Sequence, residues 1–134
     1  MIGVDIISLK RFEKALFETP QIVDIILHKN EKRLSTDARF IAGRFAGKEA
    51  LLKAGCIIST PLLFSKIELI PQEFRGIVVK INEIVFKLGV SISHDEDNVV
   101  AVAINSGANI YDNDHSKSIY PNKWGGDQEG DYIE

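Results

Sequence analysis

The chain has 134 residues, 45% of them hydrophobic and 26% charged, which is typical of one soluble globular domain. The formal net charge of -3 argues against broad nonspecific binding to nucleic acid. No apolar run has the length of a membrane span, and the first residues lack a basic segment followed by a hydrophobic signal core. We therefore expect a cytoplasmic protein without a membrane partner. Cys56 is the only cysteine, which excludes an internal disulfide, and we expect it to be a buried small hydrophobe.

The N-terminal segment combines a strand pattern with one unusual carboxylate. β-Branched residues predict a buried strand over Met1 to Ile7. Asp5 interrupts this strand, where a carboxylate is costly unless it is paired, hydrogen-bonded or bound to a metal. A capping role and a functional role for Asp5 both remain open at this point. Ser8 is expected to cap a short helix over Leu9 to Leu16.

Two further helices are predicted before the midpoint of the chain. Pro20 opens the first, whose apolar periodicity continues to His28 and Asn30, and we expect His28 to interact with the dipole at the helix end. Ser35 to Asp37 is a capping cluster, and it starts a long central helix that runs from Arg39 and stops before Gly55.

One face of this central helix carries opposed charges beside small side chains. Ala42, Ala46, Glu49 and Lys53 are spaced so that they stack on one face. We expect the alanines to leave room for a ligand along the helix. The alternative is an ordinary exposed ion pair that contributes about 0.2–0.5 kcal/mol.

The second half of the chain has strand patterns. Lys66 to Ile70 is expected to be a strand that ends at Pro71, and Ile77 to Ile81 a second strand. Val90 to His94 and Val99 to Ile104 alternate in the way that paired strands do, and we expect them to form a hairpin. Residues 106–134 then form a polar, acidic tail without apolar periodicity, for which disorder and folding back through its aromatic side chains both stay open.

Asp5 and Glu49 lie on separate predicted elements, and two carboxylates are the minimum protein contribution to a magnesium site that also binds phosphates. This chemistry suggests a metal-assisted transfer or cleavage at phosphorus. The cationic side chains that would hold phosphate oxygens are Arg44, Lys48, Lys53 and His94.

Three motifs resemble those of the holo-acyl-carrier-protein synthases, the small class of 4′-phosphopantetheinyl transferases. Gly3-Val4-Asp5-Ile6 is similar to their G-x-D-I start, and the segment Phe45 to Ala54 is similar to their F-x-x-K-E-A-x-x-K-A helix. Ser91 to His94 is similar to their S-I-S-H strand end. The motifs occur in the family's order, and the resemblance covers residues 1–105, which we expect to be the transferase domain.

The resemblance implies an α+β fold of the 4′-phosphopantetheinyl transferase type, in which a long central helix packs on a small, mostly antiparallel sheet. It also implies a homotrimer with active sites between subunits. The implied reaction is transfer of phosphopantetheine from coenzyme A to a serine of apo-acyl carrier protein, in fatty acid biosynthesis, with release of adenosine 3′,5′-bisphosphate. Two other functions remain open from the residues alone: a metal-dependent phosphodiesterase or pyrophosphatase acting on small nucleotides, and a noncatalytic module that docks an acidic protein.

The resemblance also implies residue roles. Asp5 and Glu49 would hold Mg²⁺, and Lys53 would neutralise or protonate the leaving phosphate. The base that activates the serine stays open between Glu49 and water on the metal. Arg11 and Lys14 would meet the acidic carrier protein. The residues expected to bind or neighbour coenzyme A are Ile6, Arg44, Lys48, Lys53, Ser93 and His94, with Arg44 and His94 contributed by an adjacent subunit.

Overall fold

The structure, a computed structural model, describes residues 1–58, 61–73, 76–105, 111–112 and 117–118. Its helices are α1 (Leu9–Glu18), α2 (Ile22–Ile26), α3 (Lys29–Lys32), α4 (Ala38–Lys53) and a 3₁₀ helix (Pro61–Lys66). Its strands are β1 (Ile2–Ser8), β2 (Ile57–Ile58), β3 (Ile67–Gln72), β4 (Gly76–Ile81), β5 (Ile84–Phe86), β6 (Gly89–His94), β7 (Asn98–Ile104), β8 (Tyr111–Asp112) and β9 (Lys117–Ser118). The fold is α+β, which confirms the predicted class.

The described strands form three small sheets, with the orders β1-β7-β6, β3-β4-β5 and β2-β8-β9. All of their pairings are antiparallel except that of β2 with β8. The hairpin predicted for β6 and β7 is confirmed, with Ile92 opposite Ala101. β8 and β9 lie within the predicted tail, and the rest of residues 106–134 lies outside the described residues. The predicted division of the chain at residue 105 stays a prediction.

The long helix α4 packs across the β1-β7-β6 sheet and forms the centre of the core. It begins after Asp37, whose carboxylate accepts a hydrogen bond from the N–H of Arg39 at 3.2 Å. It ends before Gly55, which has the left-handed φ of +76° that favours glycine at this position. Ala42 and Ala46 have no exposed surface. The expectation that these alanines leave room for a ligand is therefore wrong, because both belong to the buried core cluster that also contains Val99, Ala101 and Ala103 of β7.

The close contact between β1 and α4 depends on Gly3. A Cβ atom at Gly3 would lie 2.0 Å from the carbonyl oxygen of Ala50 and 2.6 Å from the nitrogen of Ala54. Both atoms belong to the helix backbone, which cannot move aside as a flexible side chain can. The glycine therefore lets the first strand lie directly against the last turns of α4.

The segment from Pro20 to Asn30 differs from its prediction. A single helix was expected there, but Leu27 is extended and separates α2 from α3. His28 also has extended backbone, and its Nδ1 caps α3 by accepting a hydrogen bond from the N–H of Asn30 at 3.0 Å. The prediction that His28 interacts with the dipole at a helix end is wrong, because this histidine precedes a helix rather than closing one.

Two other predictions are resolved by the structure. Pro71 does not end β3, because the strand continues through Pro71 to Gln72 and Pro71 lies opposite Ile77. Cys56 is fully buried, and this burial raises the pKa of its thiol to about 12, which confirms that it is a buried small hydrophobe.

No helix within the described part of the chain is both long and apolar enough to cross a membrane.

Replacing Gly3 by alanine should destabilise the protein by about 3 kcal/mol, since the added methyl group overpacks a fixed helix backbone. Urea unfolding followed by circular dichroism measures this change. Gly89→Ala is the matched control, because the nearest atom to a Cβ there is at an ordinary 3.6 Å. Equal stability of Gly3→Ala and Gly89→Ala would contradict the close contact.

Candidate active site

Asp5 lies on the face of β1 that packs against α4. Residues of β1 alternate, so that Gly3 is buried while Ile2, Val4 and Ile6 are exposed on the opposite face. The Asp5 carboxylate accepts a hydrogen bond from Lys53 Nζ at 2.9 Å, and the same ammonium donates to the carbonyl oxygen of Val4 at 3.1 Å. The last residue of α4 is thereby paired with the centre of the first strand.

Glu49 lies one helical turn before Lys53 and belongs to the same electrostatic cluster. The pKa of Glu49 is raised, first because burial removes water from the carboxylate and then because the negative charge of Asp5 lies nearby. Lys53 opposes this rise. The structure therefore brings together the three residues that the sequence predicted for catalysis: Asp5, Glu49 and Lys53.

This cluster fits a divalent cation by its charges and donor atoms. Two carboxylates that repel each other are stabilised when a divalent cation lies between them, and magnesium accepts a site with one or two carboxylates. In the described residues no group of three or more His, Cys, Asp or Glu side chains could hold a metal ion. Asp5 and Glu49 would thus depend on a ligand's phosphates and on water for the remaining coordination.

Arg44 and His94 line a second feature, a cavity of about 440 Å³ beside α4. His94 ends β6, on the sheet face that packs against the helix, and it lies opposite Val99. Arg44 is buried, stacks over the Phe40 ring at 4.1 Å and donates to the carbonyl oxygen of Leu69 at 3.0 Å. These two residues, which were predicted to bind phosphates, therefore share one cavity within a single chain. The further lining includes Asp37, Arg39, Gly43 and Ile92.

Ile6 and Ser93 lie elsewhere. Both face away from α4, since both are opposite Val100 in the β1-β7-β6 sheet. Ser93 is exposed at the strand end beside His94, and Ile6 lines a groove with Arg11. Within one chain they do not join the carboxylate cluster.

The environment of Lys48 contradicts its predicted role as a phosphate ligand. Its ammonium is fully buried and has three acceptors: Glu31 Oε1 at 2.6 Å, the Ile26 carbonyl oxygen at 2.7 Å and the Phe64 carbonyl oxygen at 2.9 Å. Because an ammonium has three hydrogens, none is left for a phosphate. Burial lowers the pKa of Lys48 to about 8, and the Glu31 carboxylate limits that fall.

Glu31 was not singled out from the sequence, although it is the partner of Lys48. The available signal was its spacing from His28, three residues earlier, which is that of a capping box with histidine in place of serine or threonine. The Glu31 carboxylate does accept a hydrogen bond from the N–H of His28, at 3.0 Å. Nothing in the sequence indicated that Glu31 would also reach α4.

The two residues predicted to meet a carrier protein lie on α1. Arg11 is exposed and lines the groove that it shares with Ile6. Lys14 is exposed and forms an ion pair with Glu18 at 3.9 Å, a surface contact of little energetic value. The exposed side of α1 is therefore only weakly basic.

The fold and the site identify a class of protein. Residues 1–104 match the model of the 4′-phosphopantetheinyl transferase superfamily, and the chain belongs to this superfamily. Within it, the chain is similar to holo-[acyl-carrier-protein] synthases, as the three motifs predicted. The synthase of Geobacillus sp. is 34% identical over 110 residues, an alignment that covers 77% of this chain and 92% of that relative.

Solved structures show the same likeness. The Helicobacter pylori holo-[acyl-carrier-protein] synthase, solved in complex with coenzyme A, has a TM-score of 0.66 at 32% identity, covering 78% of this chain and 98% of that chain. A holo-(acyl-carrier-protein) synthase from Bacillus anthracis, solved with CoA (3′,5′-ADP), has a TM-score of 0.62 at 31% identity. This match covers 76% of this chain and 91% of that chain.

The pKa of Glu49 tests the geometry of the carboxylate cluster. Asp5→Asn should lower this pKa, because it removes a negative neighbour, and Lys53→Met should raise it further, because it removes the cation that opposes the rise. ¹³C NMR titration of the side-chain carboxyl group measures both shifts. Lys14→Met, on the exposed side of α1, should leave the titration unchanged. An unchanged Glu49 pKa in Asp5→Asn would mean that the two carboxylates are not neighbours.

Proposed function

We propose that this protein is a cytoplasmic holo-acyl-carrier-protein synthase. It transfers the 4′-phosphopantetheine group of coenzyme A to a serine hydroxyl of apo-acyl carrier protein, in fatty acid biosynthesis, and releases adenosine 3′,5′-bisphosphate. Membership of the superfamily and similarity to a synthase solved with coenzyme A support the proposal. The observation that carries it is the convergence of Asp5, Glu49 and Lys53 where β1 meets the end of α4.

The proposal gives each residue of the cluster a role. Asp5 and Glu49 would hold Mg²⁺, which when bound supplies charge neutralisation at the pyrophosphate of coenzyme A. Lys53 is half exposed, so its ammonium can leave Asp5 and donate to the oxygen of the departing phosphate. The base that accepts the proton of the serine hydroxyl would be either Glu49 or water on the metal.

Arg44 and His94 would bind other phosphate oxygens of coenzyme A. Their shared cavity is lined by two further groups that suit a nucleotide, the Phe40 ring and the Arg39 guanidinium. Arg11 and Lys14 on α1 would contact the acidic carrier protein, and Ile6 lies in the same groove as Arg11. The weak charge of α1 suggests that electrostatic attraction contributes modestly to carrier binding.

The proposal includes a homotrimer. Part of the outer face of the β1-β7-β6 sheet is an exposed apolar patch, since Ile2, Val4, Ile6 and Ile104 are each at least half exposed. These side chains lie in adjacent rows, because Ile2 is opposite Ile104 and Val4 is opposite Val102. Continuous exposed apolar surface of this kind marks protein interfaces. An interface here would also bring Ser93 and Ile6 against a neighbouring subunit.

The reaction is tested by the intact mass of an apo carrier protein after incubation with the protein, coenzyme A and Mg²⁺. The carrier should gain one phosphopantetheine, and a chelator should abolish the gain. Asp5→Asn and Glu49→Gln should each lower the rate by about 10²–10⁴-fold, since each removes one carboxylate from the cluster. Glu83→Gln, at an exposed turn, is the matched control. Full activity of both site variants would overturn the metal assignment.

The trimer is tested by placing a charge on the apolar sheet face. Val4→Glu should give a monomer in sedimentation velocity, because burying an unpaired carboxylate in an interface is costly. Ile25→Glu, on α2, is the control, since Ile25 is 48% exposed and Val4 is 50% exposed. A wild-type protein that sediments as a monomer, or a Val4→Glu variant with wild-type sedimentation, would contradict the proposed interface.

A further inference from the structure

The buried carboxylate of Glu31 connects four separate parts of the fold. Its Oε1 accepts hydrogen bonds from Lys48 Nζ at 2.6 Å and from the N–H of His28 at 3.0 Å. Its Oε2 accepts from the N–H of Leu69 at 2.8 Å and lies 4.0 Å from Arg44 Nε. α3, α4, β3 and the connection after α2 thus meet at one fully buried charge.

The peptide of Leu69 lies between Glu31 and Arg44. Its N–H donates to Glu31, and its carbonyl oxygen accepts a hydrogen bond from Arg44 Nη2 at 3.0 Å. The Phe40 ring covers the guanidinium at 4.1 Å. Arg44 is therefore held by a carboxylate, a carbonyl oxygen and an aromatic face before any ligand arrives. Its Nε has no hydrogen-bond acceptor among the described residues.

Stability alone is a poor explanation for this arrangement. Buried ion pairs usually add little net stability compared with apolar side chains of similar size, because both charges lose their water. Arg44 also lines the cavity beside α4, where a fixed guanidinium loses less freedom when it binds an anion.

We propose that Glu31 is a positioning residue that acts through Arg44, and that with Lys48 it fixes the Arg44 guanidinium for the phosphates of coenzyme A. The inference rests on the proposed function, because it takes coenzyme A as the ligand of the cavity. Glu31 does not itself touch the substrate. Lys48 contributes to the same positioning, since it balances the charge of Glu31 and anchors α4 one helical turn beyond Arg44.

The decisive variant removes both charges of the buried Glu31–Lys48 pair together. In Glu31→Gln/Lys48→Met the two directly bonded charges are lost together, so neither is left buried without the other. The Arg44 guanidinium loses its nearby carboxylate but keeps its hydrogen bond to the Leu69 carbonyl oxygen, and the glutamine oxygen can still accept a backbone N–H. We expect this variant to fold and to raise KM for coenzyme A about tenfold with little change in kcat, because Arg44 contacts the phosphate equally in the ground and transition states. KM for the carrier protein should not change.

A double-mutant cycle tests whether Glu31 acts through Arg44. Arg44→Met should raise KM for coenzyme A in the wild-type background and should raise it much less in Glu31→Gln/Lys48→Met, because residues that act as one unit have non-additive effects. Equal effects of Arg44→Met in the two backgrounds would overturn the proposal. So would a wild-type KM in the folded Glu31→Gln/Lys48→Met variant.

Two further variants keep the test informative. Glu31→Asp retains the charge pair and shortens the side chain, and it should raise KM for coenzyme A about threefold if position matters; an unchanged KM would contradict the proposal. Glu68→Gln is the matched control, because Glu68 is buried beside Leu69 but contacts Asn30 and His28. It should lower stability without changing KM. A wild-type protein that neither modifies a carrier nor binds coenzyme A would instead refute the proposed function itself.

Discussion

The close contact between the first strand and the last turns of α4 is the constraint on which the site depends. It exists because Gly3 has no side chain where the helix backbone passes. With the strand at that distance, Asp5 reaches Lys53, and its charge acts on Glu49. A larger residue at position 3 would separate the two elements and with them the carboxylates. The chemistry at the site therefore depends on a packing contact that involves none of the catalytic candidates.

Beyond the exposed Arg39 of its first turn, the charges of α4 form two groups with opposite environments. Glu49 and Lys53, near the end of the helix, keep contact with water and with Asp5, so that they can exchange partners with a ligand. Arg44 and Lys48 lie on a buried side, and Lys48 has all of its hydrogens engaged. The two groups are neighbours along one helix, but they have different partners: Lys48 pairs with Glu31, and Lys53 pairs with Asp5. Glu49 and Lys53 are therefore available for the reaction, Lys48 holds parts of the fold together, and Arg44 is buried but still lines the cavity beside α4.

The comparisons and the geometry together separate the functions that the residues left open. Family membership favours a transferase over a hydrolase of small nucleotides or a noncatalytic docking module. The geometry adds two details that the family match does not give. It shows that Asp5 lies against the end of α4 that carries Glu49 and Lys53, and it shows which residues share the cavity with Arg44. The geometry also shows that Lys14 pairs with Glu18, which leaves the exposed side of α1 only weakly basic.

The sequence by itself determined the fold class, the bounds of the long helix and the identity of the carboxylate cluster. Capping residues, glycine at the helix end and alternating strands are local signals, and the motif spacing is a property of the chain alone. Tertiary structure decided which charges are buried. Arg44 and Lys48 look alike along the helix, and Lys48 is inaccessible to a ligand because Glu31 and two backbone carbonyl groups, all distant in sequence, accept its hydrogen bonds. The burial of Ala42 and Ala46 is likewise decided by tertiary packing, because both lie in one core cluster with residues of β7.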